Sequence, residues 1–306
     1  MASYHEYKCK IDDIINEYTA KLQLDSRLIE GFKYVLTDGK RLRPAITLDI
    51  INSINGTESK AVEQVCLISE LIHTSSLIID DLPSFDNGLL RRKRKCVHLV
   101  WGEGLAYLLS FNLVTAAIEL GYKHMDYLKT QYGETDGYKI NEIIGKNVLK
   151  CIGGEKAIGG QLLSTFHTSG TVNLLNMNKK VPKLSKEAIY DILIKKTSSF
   201  FEIAMMTGWL YGGGSVDKID AITTIAEKLG FCYQVYDDFS DLEEDVEGEK
   251  FSHNYVYHLG VEEALSDYNE AICFIREELD KLNLLSELFE YILNFMTENI
   301  KLNILI

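Results

Sequence analysis

The sequence predicts an all-α protein, and three observations carry that expectation. Apolar residues recur at helical spacing along most of the chain, and no stretch alternates with the period of two that a half-buried strand needs. Only three prolines, at 44, 83 and 182, interrupt 306 residues, so long helices are possible almost everywhere. There is no internal repeat and no heptad array. Apolar residues make up 46% and charged residues 25%, the balance of a globular protein able to bury a large core.

Residues 8–36 place Ile11, Ile14, Ile15, Tyr18 and Leu22, then Leu28, Phe32 and Val35, on helical faces with a break near Leu24-Asp25-Ser26. Gly39-Lys40-Arg41-Leu42-Arg43-Pro44 reads as a turn opening the next helix, with Pro44 suited to its first position. A helix N-terminus attracts anions, and Lys40 and Arg43 would add charge-assisted contacts to a phosphate. Gly56-Thr57-Glu58 precedes a helix over roughly 59–81, which contains His73 and presents Val65, Ile68, Leu71, Ile72, Ser75 and Ile79 as apolar or small positions. It closes on Asp80-Asp81, where Pro83 disfavours further helix and Asp86-Asn87-Gly88 signals a turn. Arg91 and Arg92 follow.

Residues 105–121 predict an apolar helix ending at Gly121, and 122–140 a surface connection with helical pieces. A helix from about 141 carries Gly159-Gly160-Gln161-Leu162-Leu163-Ser164. A polar linker spans 173–183, and Ser185 starts a helix leading to Lys196-Thr197. Gly212-Gly213-Gly214 ends a helix and lacks the strand-turn-helix context of a dinucleotide loop. A second acidic set, Asp237-Asp238-Phe239-Ser240-Asp241, closes another apolar helix, with Asp237 and Asp241 on one face. Residues 261–300 return to helical packing.

Adjacent aspartates at the dry end of a helix suffer desolvation and mutual repulsion. A bound hard cation, a raised pKa or an arginine partner resolves the conflict. Mg²⁺ prefers octahedral oxygen ligation from a few carboxylates, water and substrate phosphate, and Asp80 and Asp86 can converge on one such ion across the turn. The net charge is 32 − 45 = −13, which argues against nucleic acid and anionic membrane as partners. Six cysteines without metal-ligand spacing read as reduced thiols of a cytoplasmic protein. No basic-then-apolar signal opens the sequence, no apolar run suggests a transmembrane segment, and no prenylation cysteine closes it.

The two acidic sets resemble the aspartate-rich motifs of the trans-isoprenyl diphosphate synthases, the farnesyl and geranylgeranyl diphosphate synthase family, over about Gly39 to Gly260. The resemblance implies one isoprenoid synthase domain over 1–306, an all-α bundle around a central active-site cavity, commonly a homodimer. It implies a prenyltransferase that condenses an allylic diphosphate with isopentenyl diphosphate. Asp80, Asp81, Asp86, Asp237 and Asp241 would hold Mg²⁺, roughly three ions per site with substrate bound. Lys40, Arg43, His73 and Arg92 match positions that hold isopentenyl diphosphate, Arg91 matches the allylic diphosphate contact, and Lys196, Thr197 and Gln234 lie near the allylic cation. Lys250 matches the second lysine of a loop that is longer in the family. Lys93 replaces a usual glycine, Ser110-Phe111 a usual Gly-Asp, and Ser164 a usual aspartate. Ser75, one turn on from Leu71, is small enough to leave room for a geranylgeranyl tail. A terpene synthase on the same scaffold and a non-catalytic modulating subunit are the alternatives; retention of Lys40, Arg43, His73 and Arg92 favours the condensing enzyme.

Overall fold

The computed structural model describes residues 3–56, 60–169, 183–242 and 253–305. Among them the regular structure is helical except for one short hairpin, in agreement with the expected all-α class. The chain divides into two compact units, Met1–Lys146 with Ile203–Val216 and Asn147–Glu202 with Asp217–Ile306.

In the first unit, α1 (Tyr4–Ala20) opens with a capping box in which Ser3 and Glu6 satisfy each other's main-chain donors. It buries Tyr7, Ile11, Ile14, Ile15 and Tyr18. Asp25 caps α2 (Ser26–Leu36), which sets the break where the sequence places it. Helix α3 (Leu42–Asn55) starts two residues before Pro44, so the proline is its third residue rather than its first. The ring is tolerated there because the first four N–H groups of a helix have no partner within it. Helix α4 (Leu67–Asp80) begins later than 59, after a tight turn at Glu63–Cys66.

Strands β1 (Leu90–Arg91) and β2 (Arg94–Lys95) pair antiparallel, a feature that the sequence reading does not contain. Two residues per strand are too few to display alternation. Their connection, Arg92-Lys93, has positive φ at both positions, 52° and 62°, as a two-residue hairpin turn requires. After α5 (Val97–Trp101), α6 (Glu103–Lys123) packs along α4 and buries Ala106, Leu109, Leu113, Ala117 and Leu120. Helix α6 runs through Gly121, and the predicted surface connection is wound into α7 (Met125–Tyr132) and the first turns of α8 (Glu134–Ile152). By length and composition Glu103–Tyr132 meets the requirement for crossing a membrane, contrary to the sequence expectation. It packs against α4 with 39% of its apolar window buried, and Leu108, Phe111 and Tyr122 are exposed.

The helix expected from 141 through the Gly-Gly-Gln segment is two helices. Helix α8 stops at Ile152, and α9 (Ala157–Ser169) follows the turn at Gly153-Gly154. In the second unit, Ser185 caps α10 (Lys186–Leu193), as its sequence suggests. The chain then widens into a π-turn over Ile194–Ser198 before α11 (Ser199–Tyr211), whose residues from Ile203 onward belong to the first unit. Helix α12 (Ile219–Ser240) packs against α14 (Val261–Lys281) and α15 (Glu287–Leu305), and the short α13 (Tyr255–Leu259) is capped by Asn254.

Candidate active site

The Gly-Lys-Arg turn divides its cations between structure and surface. Arg41 is 2% exposed with φ 60°; its Nη1 donates to Glu70 Oε1 at 2.5 Å, its Nε donates to Asp12 Oδ1 at 2.8 Å, and its Nη2 donates to the Leu36 carbonyl. Glu70, alone in the apolar run Leu67–Ile72, is thereby compensated. Lys40 stays exposed, and Arg43, on the first turn of α3, is buried.

Helix α4 carries His73 two turns ahead of Asp80. Partial desolvation, then the fields of Arg43, Arg92 and Arg91, hold the half-buried imidazole well below its ordinary 6.5, so it is neutral. These four residues, each singled out from the sequence, therefore share one electrostatic neighbourhood. The guanidinium of Arg92 is placed by the carbonyls of Val35 and Thr37, at 2.9 and 3.2 Å, and lies 3.7 Å from Glu70. Burial lowers its pKa.

The three aspartates at and beyond the end of α4 have different surroundings. Asp86 N donates to the Asp80 carbonyl at 3.0 Å, so the turn closes the main chain between the two residues. Asp81 turns inward instead: 5% exposed, it receives Arg91 Nη2 at 2.6 Å and Arg91 Nε at 3.1 and 3.2 Å. Its lone pairs are engaged by a guanidinium fork, which also raises the Arg91 pKa. The arginine-partner solution applies to Asp81, whereas Asp80 is half-buried and Asp86 exposed.

In the second unit, Lys196 and Thr197 lie on the π-turn, a distortion that re-aims side chains and recurs at functional sites. Two glycines let neighbouring helices approach it. A Cβ on Gly160 would stand 2.6 Å from Lys196 N, and one on Gly230 would stand 2.4 Å from Ser198 Cα. Thr197 Oγ1 donates to Gln234 Oε1 at 2.8 Å, which joins two of the predicted residues. Asp237 is half-buried and Asp241 exposed, whereas Asp238, absent from the sequence-derived set, is 5% exposed and accepts from Gln234 Nε2 at 2.9 Å. Its four-residue spacing from Gln234 was the available signal. Ser164 is buried on α9. Lys250 lies outside the described residues.

The profile of the polyprenyl synthetase family matches residues 25–251 of this sequence. The chain belongs to the polyprenyl synthetase family. Among curated relatives, geranylgeranyl pyrophosphate synthase 10, mitochondrial, of Arabidopsis thaliana is 30% identical over 246 residues, covering 78% of this chain and 65% of that protein. The chloroplastic geranylgeranyl pyrophosphate synthase of Catharanthus roseus is 30% identical over 217 residues, 71% of this chain and 55% of its own. The chain thus spans less than two thirds of the length of these relatives. Among solved structures, an FPP/GFPP synthase from Zymomonas mobilis (TM-score 0.74, 21% identity) covers 97% of this chain and 99% of its own. A geranyltranstransferase from Thermotoga maritima (TM-score 0.74, 22% identity) covers 97% and 98%. At those identities the likeness establishes the shared fold.

Polyprenyl synthetases are generally divalent-metal dependent, and the residues of this member fit a hard cation. Asp80 and Asp86 supply oxygen donors beside one turn, while no group of three potential ligands is preassembled among the described residues. That is the donor set of a cation completed by water and substrate phosphate.

Proposed function

We propose that this polyprenyl synthetase is a trans-prenyltransferase that condenses an allylic prenyl diphosphate with isopentenyl diphosphate to give geranylgeranyl diphosphate. The observation that carries the reading is the acidic turn at the end of α4, where the Asp86 N–H closes onto the Asp80 carbonyl at 3.0 Å and the hairpin that follows returns Arg91 onto Asp81. In a chain of net charge −13, Arg91 and Arg92 of that hairpin supply local positive charge for a diphosphate. The names of the relatives, geranylgeranyl pyrophosphate synthases among them, support the reaction and the product.

Arg43, Lys40, His73 and Arg92 bind the diphosphate of isopentenyl diphosphate, and Arg91 binds that of the allylic partner. Asp80 and Asp86 on the one hand, and Asp237 and Asp241 on the other, would hold Mg²⁺, which supplies positive charge to the departing diphosphate. The allylic C–O bond breaks with its electrons leaving on oxygen. The cation is then met by the double bond of isopentenyl diphosphate, and the proton lost afterwards goes to the released diphosphate. Lys196 adds positive charge towards the leaving group, and the oxygens of Thr197 and Gln234 face the developing cation.

The reading takes residues 1–306 as one catalytic domain, which the near-complete coverage by solved structures supports. It makes the protein a homodimer through the apolar face of α6, where Leu108, Phe111 and Tyr122 are exposed, and Phe111→Asp would then yield monomers in light scattering. Six free thiols, four of them buried, support the reducing cytoplasm as its compartment.

The test is incubation of the pure protein with Mg²⁺, isopentenyl diphosphate and, separately, dimethylallyl, geranyl and farnesyl diphosphate. Geranylgeranyl diphosphate that disappears with chelator is expected. A hydrocarbon or alcohol made without isopentenyl diphosphate, or turnover only after a second synthase is added, would overturn the reading.

A further inference from the structure

We propose that Asp238 is a positioning residue that sets the direction of the proton in the Thr197 hydroxyl. Adjacent helical residues point about 100° apart, so Asp238 diverges from Asp237 and directs its carboxylate to partners inside the protein. Its carboxylate is filled on both sides: Oδ1 accepts from Gln234 Nε2 at 2.9 Å, and Oδ2 accepts from the Tyr255 N–H at 2.7 Å. Asn254 Nδ2 donates to its carbonyl at 2.8 Å, and Asn254 is itself 2% exposed. Asp238 is thereby locked to the main chain that begins α13.

The consequence runs through Gln234. A carboxylate can only accept, so the amide must present its NH₂ to Asp238 and its carbonyl to Thr197. The Thr197 hydroxyl then must donate to Gln234 Oε1, as the 2.8 Å contact has it. With its proton committed, the Thr197 oxygen has only lone pairs left to offer. The negative charge of Asp238 polarises the chain in the same sense. This deepens the proposed function and rests on it: an oxygen presenting lone pairs stabilises a developing allylic cation, and one presenting a proton opposes it.

Asp238→Asn tests this without removing a hydrogen bond. The Asn oxygen keeps the Tyr255 N–H, its NH₂ faces Gln234, the Gln234 amide reverses, and Thr197 becomes an acceptor with its proton turned outward. The variant is expected to melt within a few degrees of wild type and to keep the Mg²⁺ concentration for half-maximal rate. Its kcat should fall by about a hundredfold. Combined with Thr197→Val, it should lose little more than Thr197→Val alone. A readout independent of turnover is the Gln234 side-chain NH₂ signal in nitrogen-15 spectra, identified by its loss in Gln234→Ala. One proton should be shifted downfield and slow to exchange in wild type and normal in Asp238→Asn. A raised Mg²⁺ requirement matching that of Asp237→Asn would make Asp238 a metal ligand and overturn the inference, as would unchanged Gln234 signals. Should wild type make no prenyl product, the proposed function fails while the Gln234 signals still decide whether the relay exists.

Discussion

Ser75 Oγ lies 2.8 Å from Ser110 Oγ and 3.1 Å from the Ser110 carbonyl, buried where α4 meets α6. Two positions that the sequence treats separately, a tail-length residue and a departure from the family, are thus one contact. Ser75→Phe must push the helices apart, at a cost of about 1–3 kcal/mol. The urea midpoint should fall accordingly, with a smaller loss of about 1 kcal/mol for Ser75→Ala. A Phe variant as stable as wild type would place the side chain in open space, where it could only shorten the product.

Asp80 and Asp81 are neighbours with opposite expected phenotypes. Asp80→Ala should abolish Mg²⁺-dependent turnover. Asp81→Ala strands the Arg91 guanidinium from its bidentate partner and should destabilise the protein. Breaking such a pair costs about 3–5 kcal/mol when both groups are buried, and less here because the Arg91 side chain is 43% exposed. Parallel melting curves and rates for the two variants would expose an exchange of roles.

His73 should make stability depend on pH. Its folded pKa lies well below 6.5, so as pH falls past that value the unfolded chain takes up a proton that the folded chain refuses. Stability therefore rises with pH through the window below 6.5 and is lost as pH drops, by at most about 1.4 kcal/mol per unit. His73→Gln should flatten that part of the profile in urea titrations. Inorganic pyrophosphate binding beside Arg43 and Arg92 offsets their field and should draw a proton onto the imidazole, readable by calorimetry in buffers of different ionisation enthalpy.

Local pattern made much of the fold legible. The breaks at Asp25 and Pro83 and the start at Ser185 follow from caps and proline sterics that act over a few residues. The partition of α8 from α9 did not show, because a Gly-Gly pair inside an apolar period can either bend or end a helix. Site residues were legible as types and spacings, and their division of labour was not. Asp80 and Asp81 are identical in sequence terms, and only the hairpin that returns Arg91 onto α4 separates an inward carboxylate from its neighbour. Glu70 carries its own signal, since a lone carboxylate among Leu67, Ile68, Leu71 and Ile72 requires a cation, but the sequence does not show that Arg41 supplies it from 29 residues away.

The same hairpin yields the last prediction. Its two-residue turn puts Lys93 at φ 62°, a conformation that costs a side-chain-bearing residue about 1–2 kcal/mol relative to glycine. The family's usual glycine at this position is therefore explained by backbone geometry. Lys93→Gly relieves the left-handed penalty but gives the unfolded chain more freedom, worth about 0.4–1 kcal/mol in the opposite direction. The expected net gain is about 0.5–1 kcal/mol, read as a higher urea midpoint with an unchanged slope. Arg92, at φ 52°, shares the turn and keeps its contacts to Val35 and Thr37, so the Michaelis constant for isopentenyl diphosphate should not change. Destabilisation by Lys93→Gly would mean that the lysine side chain, and not the turn, holds the hairpin closed.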